Sequence, residues 1–361
     1  MKNNYYGFNY QELFLLSIAK PTMVQIEITR NCNQKCYFCF RSCNPNRKYK
    51  DKTLECWKNS IDKLITISVR EINFSGGEVF LYKNLSDLLK YSKLNGITKI
   101  IVNTNGQIDP QNDLLENIDE LVFSVHGLGK NHDKVTGIVG SFEKTCGIIE
   151  RVTKASSKVA INTVVTLDNY QNLEEIYRFF QRYPLLFHSF NLSIDRKNLV
   201  KKLTAYQEMI PVYLDFLKKL PTGKIKLRHG MQNIMINDKD YYRQSYVPLP
   251  HCAGGKYKLV IDYKGDIYPC RYFQTKDYYC GNIFTDDLRK VWRFGKGFKF
   301  FRDIVLKEKL PSECTTCLKK KKCVGGCLSW RIFNNSLNLY EKDIRCQFGN
   351  SYIGDRDNNS L

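Results

Sequence analysis

Three cysteines crowd one short stretch, Cys32-Asn33-Gln34-Lys35-Cys36-Tyr37-Phe38-Cys39, separated by three residues and then by two. Cysteines that merely pack in a core would not sit among Arg30, Asn31, Gln34 and Lys35, so the spacing points to metal ligation. A structural zinc site uses C-x2-C pairs and four protein ligands, which this loop lacks. Ferredoxin-type runs are spaced differently and supply a fourth thiolate. Three thiolates on a four-iron cubane leave one iron open, and an open metal position is where substrate chemistry occurs.

A second cysteine series runs near the other end of the chain: Cys252, Cys270, Cys314, Cys317, Cys323, Cys327 and Cys346, leaving Cys280 aside. From Cys314 the pattern is C-x2-C-x5-C-x3-C, which by itself suits zinc as well as iron–sulfur. Cys43, Cys56 and Cys146 read as buried small hydrophobes.

The elements that must position these residues alternate strand and helix. Strands are predicted at 23–29, 71–75, 98–103, 120–125, 158–166 and 187–194, with helices near 54–67, 84–95, 111–118, 141–154 and 169–182. Six strands are too few for a closed eight-stranded barrel, so the fold class is α/β with a partial (β/α)6 barrel. In such folds the loops after the strands carry the chemistry. The cysteine loop follows strand 1, Gly76-Gly77-Glu78 follows strand 2 and Asn105-Gly106 follows strand 3, so all three reach the same end.

The chain has 361 residues, 43% hydrophobic and 13% aromatic, enough for packed domains and unlike a disordered chain. Its organisation reads as an N-terminal extension (1–22), the partial barrel (23–220), a bridge (221–250), a cysteine-rich domain (251–350) and a polar tail (351–361). No secretory signal is evident, and no run approaches the ~18–20 apolar residues that span a bilayer. Fourteen cysteines without a signal suggest a cytoplasmic metal-binding protein with no membrane partner. The net charge is +20, dispersed except for Lys319 to Lys322. It would suit nucleic acid, an anionic membrane face or an acidic peptide partner. A zinc-ribbon nucleic-acid binder is the reading from a different class, but aromatic and basic residues do not interleave as a stacking platform requires.

Cys32-x3-Cys36-x2-Cys39, with Phe38 before the last cysteine, resembles the signature of radical S-adenosylmethionine (SAM) enzymes. The resemblance implies a [4Fe–4S] cluster on Cys32, Cys36 and Cys39, with SAM on the open iron. Reductive cleavage of SAM would then give a 5′-deoxyadenosyl radical. Ser75-Gly76-Gly77-Glu78 resembles the family's GGE stretch, with Val79 where Pro is usual, and implies SAM contacts from Gly76, Gly77 and Glu78. Thr104-Asn105-Gly106 and Ser124-Val125-His126-Gly127 resemble its elements after strands 3 and 4. They imply SAM contacts from Asn105 and Ser124. His126 stands where an Asp is usual and is a candidate proton donor; the bland alternative is a satisfied structural histidine.

Cys252, Gly265-x4-Cys270, Cys314-x2-Cys317-x5-Cys323-x3-Cys327 and Cys346 resemble the SPASM domain. That resemblance implies two auxiliary clusters, three [4Fe–4S] clusters in all. Cys252, Cys270 and Cys327 would hold the first, and Cys314, Cys317, Cys323 and Cys346 the second.

Family members with this domain mostly modify ribosomally made peptides, so the expected activity is peptide maturation by crosslinking, as thioether or C–C bond, or by epimerisation. The implied partners are a peptide or protein substrate with an acidic leader, a reductant such as flavodoxin or ferredoxin, and a separate leader-binding protein. Formylglycine formation in sulfatases is an alternative, weakened because Arg271 stands where those maturases place an Asp base. Porphyrin side-chain modification is another, since basic residues could meet propionates.

Overall fold

Val24, Ile26 and Ile28 alternate with Gln25, Glu27 and Thr29 along β1 (Met23–Thr29), and all six are buried. A strand hidden on both faces lies inside a sheet, and β1 pairs in parallel with β2 (Glu71–Gly76) on one side and β7 (Lys258–Ile261) on the other. The computed structural model describes residues 20–156, 158–193, 203–220, 252–306, 310–317, 325–334, 342–343 and 345–346. Cys323, the bridge at 221–250, the tail at 351–361, Lys319 to Lys322 and all but three residues of the N-terminal extension lie outside them.

Among the described residues the sheet has nine strands, in the order β6-β5-β4-β3-β2-β1-β7-β8-β9. Its remaining strands are β3 (Lys99–Thr104), β4 (Glu120–Ser124), β5 (Val159–Val165), β6 (His188–Leu192), β8 (Asp266–Tyr268) and β9 (Gly281–Asn282). The six strands expected from the sequence form the parallel part, and the mixed α/β class is as expected. The three C-terminal strands were not expected. β7 extends the parallel run beside β1, and β8 and β9 follow antiparallel.

Register divides one face into two tiers. Ile101, Val122, Ala160 and Phe187 form an apolar cluster. Two residues further along, towards the strand ends, the same face carries Ser75, Asn103, Ser124 and Asn162. The apolar tier closes the bottom, and the polar tier lies beside the loops that carry the motifs.

Helices in chain order are α1 (Leu54–Thr66), α2 (Leu85–Leu94), α3 (Asn112–Glu116), α4 (Lys130–Thr136), α5 (Ser141–Ala155), α6 (Leu173–Phe180), α7 (Leu203–Lys219), α8 (Leu288–Phe294), α9 (Lys296–Leu306), α10 (Ser312–Thr315) and α11 (Leu328–Asn334). α1 shows the local logic: Thr53 caps it by accepting from Cys56 N–H, and Trp57, Ile61 and Leu64 recur at helical spacing to form its buried stripe.

The chain divides into two compact units: Met1–Val164 with Glu175–Phe190 and Ala253–Arg302, and Val165–Glu174 with Asn191–Cys252 and Asp303–Leu361. The second unit contains α7, α10 and α11. Within it Trp330 meets Tyr206 edge-on at 5.6 Å, and the Arg345 guanidinium lies 4.9 Å from the Trp330 ring. Among the described residues, no helix is long and apolar enough to cross a membrane.

Candidate functional site

The cysteine loop leaves β1 through Arg30 and Asn31, and both are pinned. Asn31 Nδ2 donates to Tyr49 O at 2.9 Å while Tyr49 N donates to Asn31 Oδ1 at 2.8 Å, so one side chain clips the return of the loop. Arg30 donates to Arg41 O at 2.9 Å and lies over Tyr49. The far side of the loop rests on α4: Lys35 N donates to Thr136 O and Tyr37 N to Val135 O. A methyl group on Gly137, where φ is +71°, would sit 2.7 Å from Lys35 Cγ. No helix is predicted over 130–136; in the fold this stretch is a helix that seats the cysteines.

The second motif docks on the same entry. Gly77 N donates to Thr29 O at 2.9 Å and Glu78 N to Asn31 O at 2.8 Å. An added Cβ would come within 2.2 Å of Thr29 O at Gly76 and 2.0 Å of Asn31 O at Gly77. Both glycines are therefore required by close approach of backbone to backbone, whatever else they approach. Glu78 is fully buried, and its carboxylate accepts from Thr104 Oγ1 (2.9 Å), Asn105 N (2.7 Å) and Phe80 N (3.1 Å). Burial pushes its pKa up to about 7 despite those donors.

Asn105 completes the junction. Its Nδ2 donates to Asn33 Oδ1 at 2.7 Å and reaches Cys32 Sγ at 3.9 Å, while its Oδ1 accepts from Gln107 N at 3.1 Å. The three motifs predicted at one end of the sheet are thus joined through Glu78 and Asn105.

Ser124 ends β4 half-buried, in register with Asn162. His126 is buried rather than open. Its Nδ1 accepts from Val164 N at 3.2 Å, its own N–H donates to His132 Nδ1 at 3.1 Å, and its ring meets Phe38 edge-on at 4.8 Å. Burial lowers its pKa well below the usual histidine value, with His132 adding to the effect. Asp133 ties this region down by accepting from Gly140 N, Ser141 Oγ and Phe142 N at the start of α5.

The three thiols differ. Burial raises Cys32 to about 11 and Cys36 to about 12, with the neighbouring cysteines adding to both. Cys39 falls to about 6: a hydrogen bond from the Cys43 side chain outweighs burial, and the N–H groups of Cys43, Arg41 and Ser42 add to it. Cys43 is buried as expected, yet it is a partner of Cys39 rather than an inert hydrophobe. Three soft thiols that sense each other's charge suit an iron–sulfur cluster. Gln34 Nε2 and Arg30 Nε, both buried without a partner, add unspent donors to this anion-favouring loop.

In the second unit, Asp343 organises the C-terminal cysteines. It accepts from Cys327 N at 3.0 Å through Oδ2, and its own carbonyl accepts from Cys346 N at 2.8 Å. Arg345 grips the same carboxylate with Nε and Nη2. Cys314 is raised to about 11 by burial and senses Cys346, Arg331 and Cys317. Cys252 also belongs to this unit, whereas Cys270 belongs to the sheet-bearing one. Cys280 is a structural thiol: it donates to Tyr278 O and takes N–H contacts from Phe298 and Gly297.

Comparison with known families matches residues 26–180 to the Radical SAM superfamily, a span that holds the cysteine loop and the motifs after β2, β3 and β4. This chain carries a radical SAM domain and is an enzyme. Residues 252–318, with Cys252, Cys270, Cys314 and Cys317, match the SPASM iron–sulfur cluster-binding domain. The radical SAM chain is 23% identical over 356 residues to the AdoMet-dependent heme synthase of Nitratidesulfovibrio vulgaris, covering 92% of this chain and 94% of that protein. It is 22% identical over 357 residues to the mycofactocin maturase MftC of Mycobacterium tuberculosis, covering 94% and 86%. Its fold matches that of Streptococcus suis SuiB bound to its precursor peptide SuiA, with a TM-score of 0.67, 20% identity, and 91% and 76% of the chains covered. The radical SAM and SPASM matches imply iron–sulfur clusters and SAM as cofactors.

Proposed function

We propose that this radical SAM enzyme is a peptide maturase that acts in the cytoplasm with three [4Fe–4S] clusters. Cys32, Cys36 and Cys39 would hold the SAM-binding cluster. Gly76, Gly77, Glu78, Asn105 and Ser124 would line the SAM site. The observation that carries this reading is the junction of Glu78 and Asn105, which joins the GGE and TNG loops to Cys32. When bound, the cluster and SAM supply one-electron reductive cleavage of a sulfonium C–S bond.

The chain's own residues hold and shield. Glu78 fixes the loops after β2 and β3 in one arrangement, and α4 holds the cysteine loop from its other side. The buried apolar tier of Ile101, Val122, Ala160 and Phe187 excludes water from below. His126 is held neutral by burial, with Nδ1 already accepting from Val164 N, which fits a structural role better than proton donation.

Cys314, Cys317, Cys323 and Cys346 would hold one auxiliary cluster, and Cys252, Cys270 and Cys327 another. The maturase MftC and the peptide-bound SuiB favour a peptide substrate. An acidic leader, a flavodoxin- or ferredoxin-type reductant and a separate leader-binding protein complete this proposal. One observation favours a second reading, porphyrin side-chain modification: heme synthases stand among the relatives that align over nearly the whole chain.

The test is anaerobic reconstitution followed by SAM, dithionite and, in parallel, a short peptide encoded beside this gene or a propionate-bearing porphyrin. Loss of two hydrogens from the peptide indicates a crosslink, whereas an unchanged mass in normal water with deuterium uptake in D2O indicates epimerisation. Change in the porphyrin alone would replace the peptide reading with the second one.

A further inference from the structure

Cys270 is followed by Arg271, whose guanidinium is half-buried and makes one hydrogen bond within the described residues. Its Nη2 donates to Tyr272 Oη at 3.2 Å, and the group lies 5.0 Å from the Tyr272 ring. Among the described residues no carboxylate or carbonyl accepts from it. A guanidinium presents five N–H donors in a fixed fork, so most of this one's capacity is unspent.

The nearest carboxylate is already claimed. Glu27, buried on β1, accepts from Arg41 through Oε2 and from Gln274 Nε2 at 2.8 Å through Oε1. It lies within electrostatic range of Arg271 without a hydrogen bond to it. Asp262, the other carboxylate beside Glu27, accepts from the N–H groups of Lys264 and Asp266 at 2.9 and 3.0 Å. Arg41 comes from the cysteine loop and Arg271 from the Cys270 segment, so two cations face one shared anion. Tyr272 and the exposed Phe40 stand 6.0 Å apart beside them, with Arg41 5.4 Å from the Phe40 ring. Register puts Glu27 beside Ser75, on the face whose polar tier adjoins the motif loops.

We propose that Arg271 binds a carboxylate of the substrate, with Tyr272 orienting the guanidinium and the Glu27–Arg41–Gln274 link fixing the wall behind it. This rests on the radical SAM reading and adds the substrate class: a molecule that carries a carboxylate near the atom to be modified. A peptide glutamate or aspartate and a porphyrin propionate share that chemistry. Arg271 is on this account a specificity residue, and its charge also lies close to the Cys270 thiol.

The test uses reconstituted full-length protein with SAM bound and measures equilibrium binding of two matched pairs. One pair is protoporphyrin IX and its dimethyl ester; the other is the blocked peptide Gly-Glu-Cys-Gly and its Gln counterpart. The wild type is expected to prefer the carboxylate form of at least one pair by roughly tenfold or more, as a charge-assisted hydrogen bond requires. The pair preferred tells which source is used. Arg271→Gln should abolish the preference and Arg271→Lys should retain part of it, both with wild-type iron content and SAM cleavage. Equal binding within both pairs, or a preference unchanged in Arg271→Gln, overturns the proposal. Loss of iron in both variants also overturns it, by assigning Arg271 to the metal centre. Wild type that fails to cleave SAM would instead overturn the radical SAM site itself.

Discussion

Asn105 donates its backbone N–H to Glu78 Oε2 at 2.7 Å and extends its side chain to within 3.9 Å of Cys32 Sγ. Through this residue the buried carboxylate after β2 is coupled to the first thiol after β1. The loops after three neighbouring strands are therefore linked, and substitutions in one of them should be felt in the others.

Glu78 provides a pH test of that coupling. Burial raises its pKa from 4.5 to about 7, so the folded state holds the proton more tightly than the unfolded chain. Its favourable contribution is full below about pH 4.5 and is lost as pH rises through about 7, a difference of roughly 3 kcal/mol. Denaturant unfolding of the SAM-free protein should show the wild type losing stability relative to Glu78→Gln between those pH values. Parallel pH profiles for the two proteins would contradict this assignment.

Gly77→Ala places a methyl group 2.0 Å from Asn31 O, a backbone atom that cannot rotate away. The loop must separate from the cysteine entry, at a cost of at least about 2 kcal/mol. Gly137→Ala meets the flexible Lys35 chain instead, so its cost comes mainly from the positive φ, about 1 kcal/mol. Thermal melts should rank Gly77→Ala clearly below Gly137→Ala, and iron retention after desalting should follow the same order.

Asp343→Ala strands the buried Arg345 guanidinium and releases Cys327 N–H. Removing one partner of a buried pair costs about 3–5 kcal/mol, whereas replacing both by apolar residues costs far less. Asp343→Ala should lose iron while retaining SAM cleavage to 5′-deoxyadenosine, and Asp343→Leu with Arg345→Met should be better folded than the single variant. Full iron content in Asp343→Ala would show that this carboxylate does not position the cysteines.

Much of this was legible in the sequence for definite reasons. Strands such as Ile100–Val102 and Leu121–Phe123 announce themselves by apolar runs between turn residues, and the 3–2 spacing of Cys32, Cys36 and Cys39 is a local pattern. The β7–β9 extension was not legible, because β7 is four residues long and pairs with a strand more than two hundred residues away. α4 was missed because Lys-Asn-His-Asp-Lys-Val-Thr is too short and polar to show a helical stripe. The resemblance assigns the glycines after β2 to SAM contacts, while the fold uses them first to dock on Thr29 and Asn31. One signal could have exposed the Glu27–Arg41–Gln274 link: a carboxylate in the middle of an otherwise buried strand requires a partner.

The proposed role of Cys32, Cys36 and Cys39 is to initiate the chemistry. Its most direct test is 5′-deoxyadenosine production from SAM and dithionite by anaerobically reconstituted wild type and by the Cys32→Ala/Cys36→Ala/Cys39→Ala variant. The wild type should produce 5′-deoxyadenosine and the variant none, while the variant keeps the auxiliary iron and loses roughly four irons per chain. SAM cleavage that persists in the variant would contradict it.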